Sequence, residues 1–194
     1  CATLFVASGF LDGGCMWNDR VIEAVRRTRQ PVLALPGLLP QPLPMADLAQ
    51  RRIATGQLLG RIKYLRVDAR DRAVAEVVRA ASVAVPDDLM LTSEELQHWH
   101  TAGQQVGAHT VNHPILAQLP DGAAYDEISR GRDVLQALLG SRIGLFAYPN
   151  GRPGTDYLPV HVDMVRKLGF DAACSTNWGA ATALSPSYEL PRFT

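Results

Sequence analysis

The regular alternation of helical and strand-like segments over the second half of the chain constrains the fold more than any other feature. The predicted segments are, in order, a helix over 92–103, a strand over 104–109, a helix over 121–140, a strand over 143–148, a helix over 160–169 and a strand over 170–175. Thr92 and Glu95 form a capping box at the first of these helices. Strands that alternate with helices pair in parallel through crossover connections, which predicts an α/β fold.

The first half of the chain has a different pattern. ATLFVA at residues 2–7 predicts a short buried strand, whereas residues 16–90 predict a mostly helical insertion. Its helices are predicted over 18–29, roughly 45–59 and 68–82. The segment PVLALPGLLPQPLP at 31–44 has no clean period and predicts a loop or an irregular packed segment. We therefore expect one domain over residues 1–194 that contains a helical insertion at 16–90.

The composition argues against two kinds of partner. The chain has 194 residues, of which 47% are hydrophobic and 20% are charged, which is ordinary for a globular protein. Lys+Arg and Asp+Glu each number 19, so the basic excess typical of nucleic-acid-binding proteins is missing. No stretch of 18 or more apolar residues occurs, so the sequence predicts no membrane span.

Two histidines, His109 and His113, lie four residues apart in the stretch GAHTVNHP. His109 falls where the predicted strand 104–109 ends, and binding sites in parallel sheets lie just beyond the carboxyl ends of strands. Imidazoles at i and i+4 can converge on one cation if the chain between them curls like a helical turn. The alternative is a pair of hydrogen-bonded polar residues, and the short pattern alone leaves both open. The remaining histidines are interpreted as surface or packing residues: His98, His100 and His161.

A second loop, in LFAYPNGRPG at 145–154, also follows a predicted strand. In a parallel sheet it opens at the same edge as His109. Asn150-Gly151 is a strong turn dipeptide, so a tight structural turn is one interpretation. The other is that the turn directs a free backbone N–H toward a substrate oxygen.

Together, these stretches resemble the polysaccharide deacetylase family, also called the NodB-homology domain or family 4 of the carbohydrate esterases. ATLFVASGFLDGG resembles the second strand and following loop of the family, and MLTSEELQHWHTAGQQVGAHTVNHPILAQL resembles its His-box motif, H-[ST]-x-x-H, with the preceding helix and strand. LFAYPNGRPG resembles the third motif and LGFDAACSTNWG the fourth region. The resemblance covers residues 1–15 and about 88–194. It implies a distorted (β/α) barrel and the hydrolytic removal of acetyl groups from sugars of a polysaccharide.

The resemblance also implies a divalent metal, usually zinc. By position, His109 and His113 match its two histidine ligands, and the Thr110 hydroxyl matches a group that supports the loop between them. A metal of this kind polarises the acyl carbonyl and activates a bound water.

Four further residues are site candidates, three of them through the same resemblance. Pro149 and Asn150 match the loop whose backbone N–H helps to stabilise the oxyanion, and they are the catalytic candidates. Trp178 matches an aromatic residue near the acetyl-binding groove, although a core tryptophan is an equal alternative. We place Tyr148 with Trp178 as a candidate for substrate binding.

The departures from the family pattern matter as much as the matches. The first motif, T-F-D-D-G, which would supply the catalytic base and the third metal ligand, has no counterpart, and Asp12 lies in the wrong place to substitute for it. Ala147 stands where the third motif has Arg, and the fifth motif, L-x-H, which carries the general acid, is absent from the final ELPRFT. We therefore expect an incomplete copy of the domain that lacks its first strand, within an active parent protein.

Three functions are compatible with these observations. The first is a metal-dependent deacetylase of an N-acetylglucosamine-type polymer, with a polysaccharide or oligosaccharide as substrate. The second is a catalytically inactive relative that binds carbohydrate through the same groove. The third is a scaffold module with no ligand.

Overall fold

The computed structural model describes residues 2–193, which form two compact units. The sheet unit consists of the described residues up to Asp12 and from Leu91 onwards, and the helical unit runs from Gly13 to Met90. The predicted insertion at 16–90 falls within the helical unit. Cys1 and Thr194, the ends of the predicted 1–194 domain, lie outside the described residues.

Helices and strands occupy the positions that the sequence pattern predicts, with a few additions. The strands of residues 2–193 are β1 (Thr3–Val6), β2 (Val32–Leu33), β3 (Leu43–Pro44), β4 (Gln105–Ala108), β5 (Leu145–Ala147), β6 (Ala172–Trp178) and β7 (Leu190–Arg192). The α-helices are α1 (Trp17–Arg27), α2 (Leu48–Ile62), α3 (Val67–Ala81), α4 (Ser93–Thr101), α5 (Asp121–Leu139) and α6 (Pro159–Lys167). Within residues 2–193, none of these helices has the length and apolar character needed to cross a bilayer.

The sheet unit is built on five parallel strands in the order β1-β4-β5-β6-β7. One row of paired residues crosses four of them: Val6 pairs with Ala108, Ala108 with Phe146, and Phe146 with Ala173. All four side chains are buried, because helices cover a sheet of this kind and its strands are apolar. The predicted α/β class with parallel strands is confirmed.

Local sequence signals explain how the helices around this sheet begin and end. At α4, Thr92 Oγ1 accepts from the Glu95 backbone N–H (3.1 Å), and the Thr92 N–H donates to the Glu95 carboxylate (2.8 Å), which is the predicted capping box. At the end of α5, Gly140 adopts φ 62°, a left-handed conformation that glycine reaches without a Cβ penalty. The buried face of α5 includes Ile128 and Leu135 and packs into the sheet-unit core.

The helical unit has its own apolar core. Its three helices bury Val21, Val25, Leu58, Ile62 and Val77 within one cluster. The segment 31–44, predicted as a loop or an irregular packed segment, contains an antiparallel pair of two-residue strands in which Leu33 faces Leu43. Strands this short leave no period in the sequence. The segment is nevertheless anchored by buried leucines of the same cluster: Leu33, Leu35, Leu38 and Leu43.

Candidate active site

The candidate site lies in the sheet unit, at the edge where the parallel strands end. Because all strand pairs in this sheet are parallel, the loops after β1, β4 and β5 emerge at the same edge. The loop after β4 carries the two histidines, and the loop after β5 carries the Pro149-Asn150-Gly151 turn.

The structure brings the two predicted histidines together. The ring centroids of His109 and His113 lie 4.6 Å apart, with an edge-to-face angle of 68° between the planes. The chain between them curls tightly: Thr110 and His113 both have positive φ, 66° and 52°. Non-glycine residues adopt this conformation at a cost, and such strain concentrates at functional sites. The two imidazoles are therefore close enough for one cation to contact both.

The hydrogen bond of His109 determines its tautomer. His109 Nδ1 lies 2.7 Å from the carbonyl oxygen of Ala147, on the neighbouring strand. A carbonyl oxygen only accepts, so Nδ1 carries the proton, and Nε2 of the neutral ring keeps a free electron pair. Burial lowers the pKa of His109 to about 4; the bond to Ala147 opposes this shift, and the positive charge of Arg192 adds to it. His109 is therefore a neutral imidazole near pH 7, the form that ligates metals.

The Thr110 side chain closes the turn between the histidines. It is fully buried, and its hydroxyl donates to the His109 carbonyl oxygen (2.5 Å) and accepts the His113 backbone N–H (3.0 Å). The predicted supporting position of Thr110 thus corresponds to two observed hydrogen bonds. The Thr110 hydroxyl therefore bridges the backbone of His109 and the backbone of His113.

A carboxylate from α5 holds the outer part of the same turn. Glu127 accepts the backbone N–H groups of Val111 (3.0 Å) and Asn112 (2.8 Å), and the Asn112 side-chain amide (2.7 Å). Hydrogen bonds to a charged acceptor are stronger than neutral ones. Glu127 therefore fixes the residues that separate His109 from His113.

Two glycines let neighbouring backbone approach this turn. A Cβ atom at Gly131 of α5 would lie 2.7 Å from the Thr110 carbonyl carbon, and one at Gly9 would lie 2.8 Å from the Val111 oxygen. The Gly9 N–H donates to that same oxygen (2.9 Å). The turn is thus packed from both sides by backbone that only glycine can bring so close.

The turn after β5 presents a backbone donor. Asn150 has φ 60°, and the Gly151 N–H donates to the Pro149 carbonyl oxygen at 2.7 Å. The Gly151 carbonyl in turn accepts the Thr176 N–H (2.8 Å). No acceptor among residues 2–193 takes the Asn150 N–H. This donor is available at the same edge of the sheet as His109.

The two aromatic candidates lie in different environments. Trp178, at the end of β6, is 76% exposed and makes an edge-to-face contact with Phe193 (5.2 Å), so it is not a core tryptophan. Tyr148, by contrast, is fully buried: its ring stacks on Tyr157 (3.8 Å), and its hydroxyl donates to the Tyr188 carbonyl (3.0 Å). The predicted substrate contact of Tyr148 is therefore corrected to a core role, because both its ring and its hydroxyl are already engaged.

The other candidate ligands are used elsewhere. The Asp12 carboxylate accepts the Ser93 N–H (2.6 Å) and hydroxyl (2.5 Å). His98 is exposed, His100 lies 3.1 Å from the Ser141 hydroxyl, and buried His161 accepts the Leu158 N–H at the start of α6 (2.9 Å). These contacts agree with the interpretation of the three histidines as surface or packing residues.

The donor set at the edge fits part of a metal site. His109 has the second hydrogen bond to a carbonyl that orients metal-ligating histidines, and two imidazoles suit zinc. Within residues 2–193, however, no group of three His, Cys, Asp or Glu side chains is arranged to hold a metal ion. A catalytic zinc usually takes three protein ligands, and the described residues offer two candidates for them, His109 and His113.

Sequence reasoning found the two histidines and the turn but missed the groups that hold them in place. Glu127, Gly131 and Gly9 act across the tertiary structure, so no local pattern marks them. Arg192 lies on β7, a three-residue strand whose length gives no period. Its influence on His109 follows only from the pairing of the strands.

The chain belongs to the polysaccharide deacetylase family: the family model matches residues 70–173, more than half of the chain. No curated protein sequence matches the chain significantly. The parallel sheet with its covering helices is the α/β fold of this family.

Two solved structures show the structural similarity. The Streptococcus pyogenes deacetylase PplD, solved in complex with acetate, is 26% identical, with a TM-score of 0.50 over 58% of this chain and 46% of that one. The deacetylase domain of BpsB from Bordetella bronchiseptica is 14% identical, with a TM-score of 0.51 over 58% of this chain and 52% of that one. The chain thus spans about half the length of either structure.

Proposed function

We propose that this chain takes part in metal-dependent deacetylation, removing acetate from N-acetylated sugars of a polysaccharide. The observation that carries the proposal is the pair of imidazoles 4.6 Å apart at the carboxyl edge of a parallel sheet, in a chain of the polysaccharide deacetylase family. In this reaction water adds to the acyl carbon and the C–N bond breaks, which leaves acetate and a free amine. The deacetylase PplD, whose structure contains acetate, supports this reaction class.

Each group at the edge has a role in the proposed reaction. His109 and His113 would hold a divalent metal, for which zinc is the best candidate because neutral imidazoles are its preferred nitrogen ligands. Such a metal would supply Lewis acidity and would lower the pKa of bound water toward about 7. The Asn150 N–H stabilises the oxyanion, a contribution of about 3 kcal/mol for one donor of this kind. The exposed Trp178 ring offers a face for the sugar or its acetyl group.

Metal binding tests the centre of the proposal. The purified chain is expected to bind one zinc ion per molecule, and the His109→Ala, His113→Ala double variant is expected to lose it. His98→Ala is the matched control, because it removes an exposed histidine of the same unit. Metal content is measured by mass spectrometry after dialysis. Equal zinc content in the wild type, the double variant and His98→Ala would refute the proposed site.

Acetate release tests the reaction itself. N-acetylglucosamine oligomers are incubated with the zinc-loaded chain, and acetate is quantified together with the free amines. Matched amounts of the two products support deacetylation. Binding of the oligomers with no acetate release would favour the second candidate, an inactive carbohydrate-binding relative. Two observations favour that alternative: within residues 2–193 no three metal-ligating side chains are grouped, and the Asp12 carboxylate accepts the Ser93 N–H.

A further inference from the structure

Arg192 lies on the same face of the sheet as His109. Ala108 pairs with Phe146, so His109 follows opposite Ala147; Ala147 pairs with Cys174, and Cys174 pairs with Leu190 of β7. Side chains of paired residues in a sheet point to the same face, and so do residues two apart on one strand. Arg192 is two residues beyond Leu190, toward the carboxyl edge where the candidate site lies.

Electrostatics agrees with this placement. The charge of Arg192 opposes the rise that burial causes in the pKa of the Cys174 thiol, as expected for a guanidinium near the paired row that contains Cys174. Arg192 also pairs with Trp178 across β6 and β7, which places it beside the exposed aromatic ring.

The guanidinium of Arg192 has no anionic partner among residues 2–193. Its Nε is buried and has no hydrogen-bond partner within that part of the chain, and none of the ion pairs there includes it. Arg142, for comparison, is paired with Asp171 through both ends of its guanidinium. A buried donor on a cation is costly unless something accepts from it. The Arg192 guanidinium can therefore accommodate an anionic ligand as its hydrogen-bond acceptor.

We infer that Arg192 binds the acyl oxygens of the substrate and, after hydrolysis, the acetate product. This inference rests on the proposed function, because deacetylation generates negative charge on those oxygens. The planar guanidinium fork matches the two oxygens of a carboxylate. An arginine does not lose its proton near neutral pH, so its part is to bind and stabilise charge rather than to transfer a proton. Arg192 thus complements the Asn150 N–H from the opposite side of β6.

Acetate binding to the chelator-treated chain tests this inference without using activity. Sodium acetate is titrated into the wild type and into Arg192→Gln, and binding is followed by the broadening of the ¹³C-acetate NMR signal. Loss of one charged hydrogen-bond partner is expected to weaken acetate binding by about tenfold or more. Arg130→Gln, which removes an exposed arginine of α5, is the control and is expected to bind acetate like the wild type. Arg192→Lys, which keeps the charge but loses the fork, is expected to fall between the two.

A second measurement uses only the wild-type chain, in case the variants do not fold. Phenylglyoxal modifies arginines, and acetate is expected to slow its reaction at Arg192 and leave Arg130 unaffected, as mapped by peptide mass spectrometry. An unchanged rate at Arg192, or equal acetate affinity of the wild type and Arg192→Gln, overturns the inference. A chain that binds acetate through Arg192 yet releases none from N-acetylated sugars overturns the proposed function alone.

Discussion

The sheet unit and the helical unit both bury an apolar core, but they use the polar groups at its margin differently. In the helical unit, Arg51 donates to the Val25 and Thr28 carbonyls at the end of α1 (2.6 and 3.0 Å), which completes a helix. In the sheet unit, Glu127 and Thr110 hold a strained turn that carries two histidines. Similar polar contacts therefore stabilise regular structure in one unit and an irregular, costly conformation in the other.

The largest expected effect is that of replacing Glu127, the carboxylate that holds the turn of the sheet unit. Glu127→Ala removes the acceptor of two backbone N–H groups and is expected to lower the free energy of unfolding by about 3 kcal/mol. Zinc affinity is expected to fall about 10- to 100-fold, because the turn between the ligands loosens. Denaturant titration and competition with a zinc-binding dye measure the two quantities. Asp126→Ala, an exposed neighbour on α5, is expected to change neither; an equal loss in both variants would contradict the assigned role.

The same substitution is expected to have opposite signs in the two units. Gly131→Ala brings a methyl group to 2.7 Å from Thr110 and is expected to destabilise the chain by about 2 kcal/mol. Gly56→Ala, in the middle of α2 with open space around it, is expected to stabilise by about 0.5–1 kcal/mol, since alanine is the better helix former. Thermal and denaturant unfolding of both variants compares them. Destabilisation by both would show that Gly56 is constrained as Gly131 is.

Replacing Arg51 tests whether a polar contact of the helical unit affects only that unit. Arg51→Ala leaves carbonyls at the end of α1 without their donor and is expected to cost about 1.5 kcal/mol. Hydrogen exchange should accelerate in α1 and α2, while zinc affinity stays at the wild-type value. Arg52→Ala, an exposed change on the same helix, is the control. Weaker zinc binding in Arg51→Ala would show that the two units do not act separately.

The smallest expected difference between the two units near neutral pH is in the pH range over which each loses stability. The pKa of the partly buried His109 is lowered to about 4, so the unfolded chain binds more protons below pH 6.5 and the sheet unit loses stability as pH falls from 6.5 toward 4. Burial of His161 acts in the same direction. The hydrogen bond from Arg26 lowers the pKa of Glu23 to about 2, so the helical unit loses stability between about pH 4.5 and 2.

Region-resolved hydrogen exchange of the metal-free chain at several pH values measures this difference. His109→Gln is expected to reduce the loss between pH 6.5 and 4 in the sheet unit and leave the helical unit unchanged. The same acid profile in both units would refute the assignment.

The sequence predicted the fold where hydrophobic periods were long and punctuated by capping residues. The helix after Thr92 and the helix before Gly140 are examples, because local hydrogen bonds alone fix their ends. The short strands β2, β3 and β7 were not predicted, since two or three residues give no period. Their positions depend on partners distant in sequence.

The candidate site was predictable to the same extent. The spacing of His109 and His113 and the turn dipeptide at Asn150 are local, and the structure brings the two rings together as expected. The burial of Tyr148 was not predicted, because Tyr157 and Tyr188, which cover it, lie on other segments. Charges that act through space, such as Arg192, leave no signal at the residue they affect.

The bond from His109 to the Ala147 carbonyl makes the aim of one imidazole depend on the relative position of two strands. A shift of β5, for example after a substitution at Phe146, would therefore rotate the His109 ring even though Phe146 does not contact that ring's binding edge. If substitutions in the core displaced β5, the Nε2 electron pair of His109 would point in the wrong direction although both histidines were still in place. Mutational scans limited to the residues at the edge of the sheet would overlook this effect of the core on the orientation of His109.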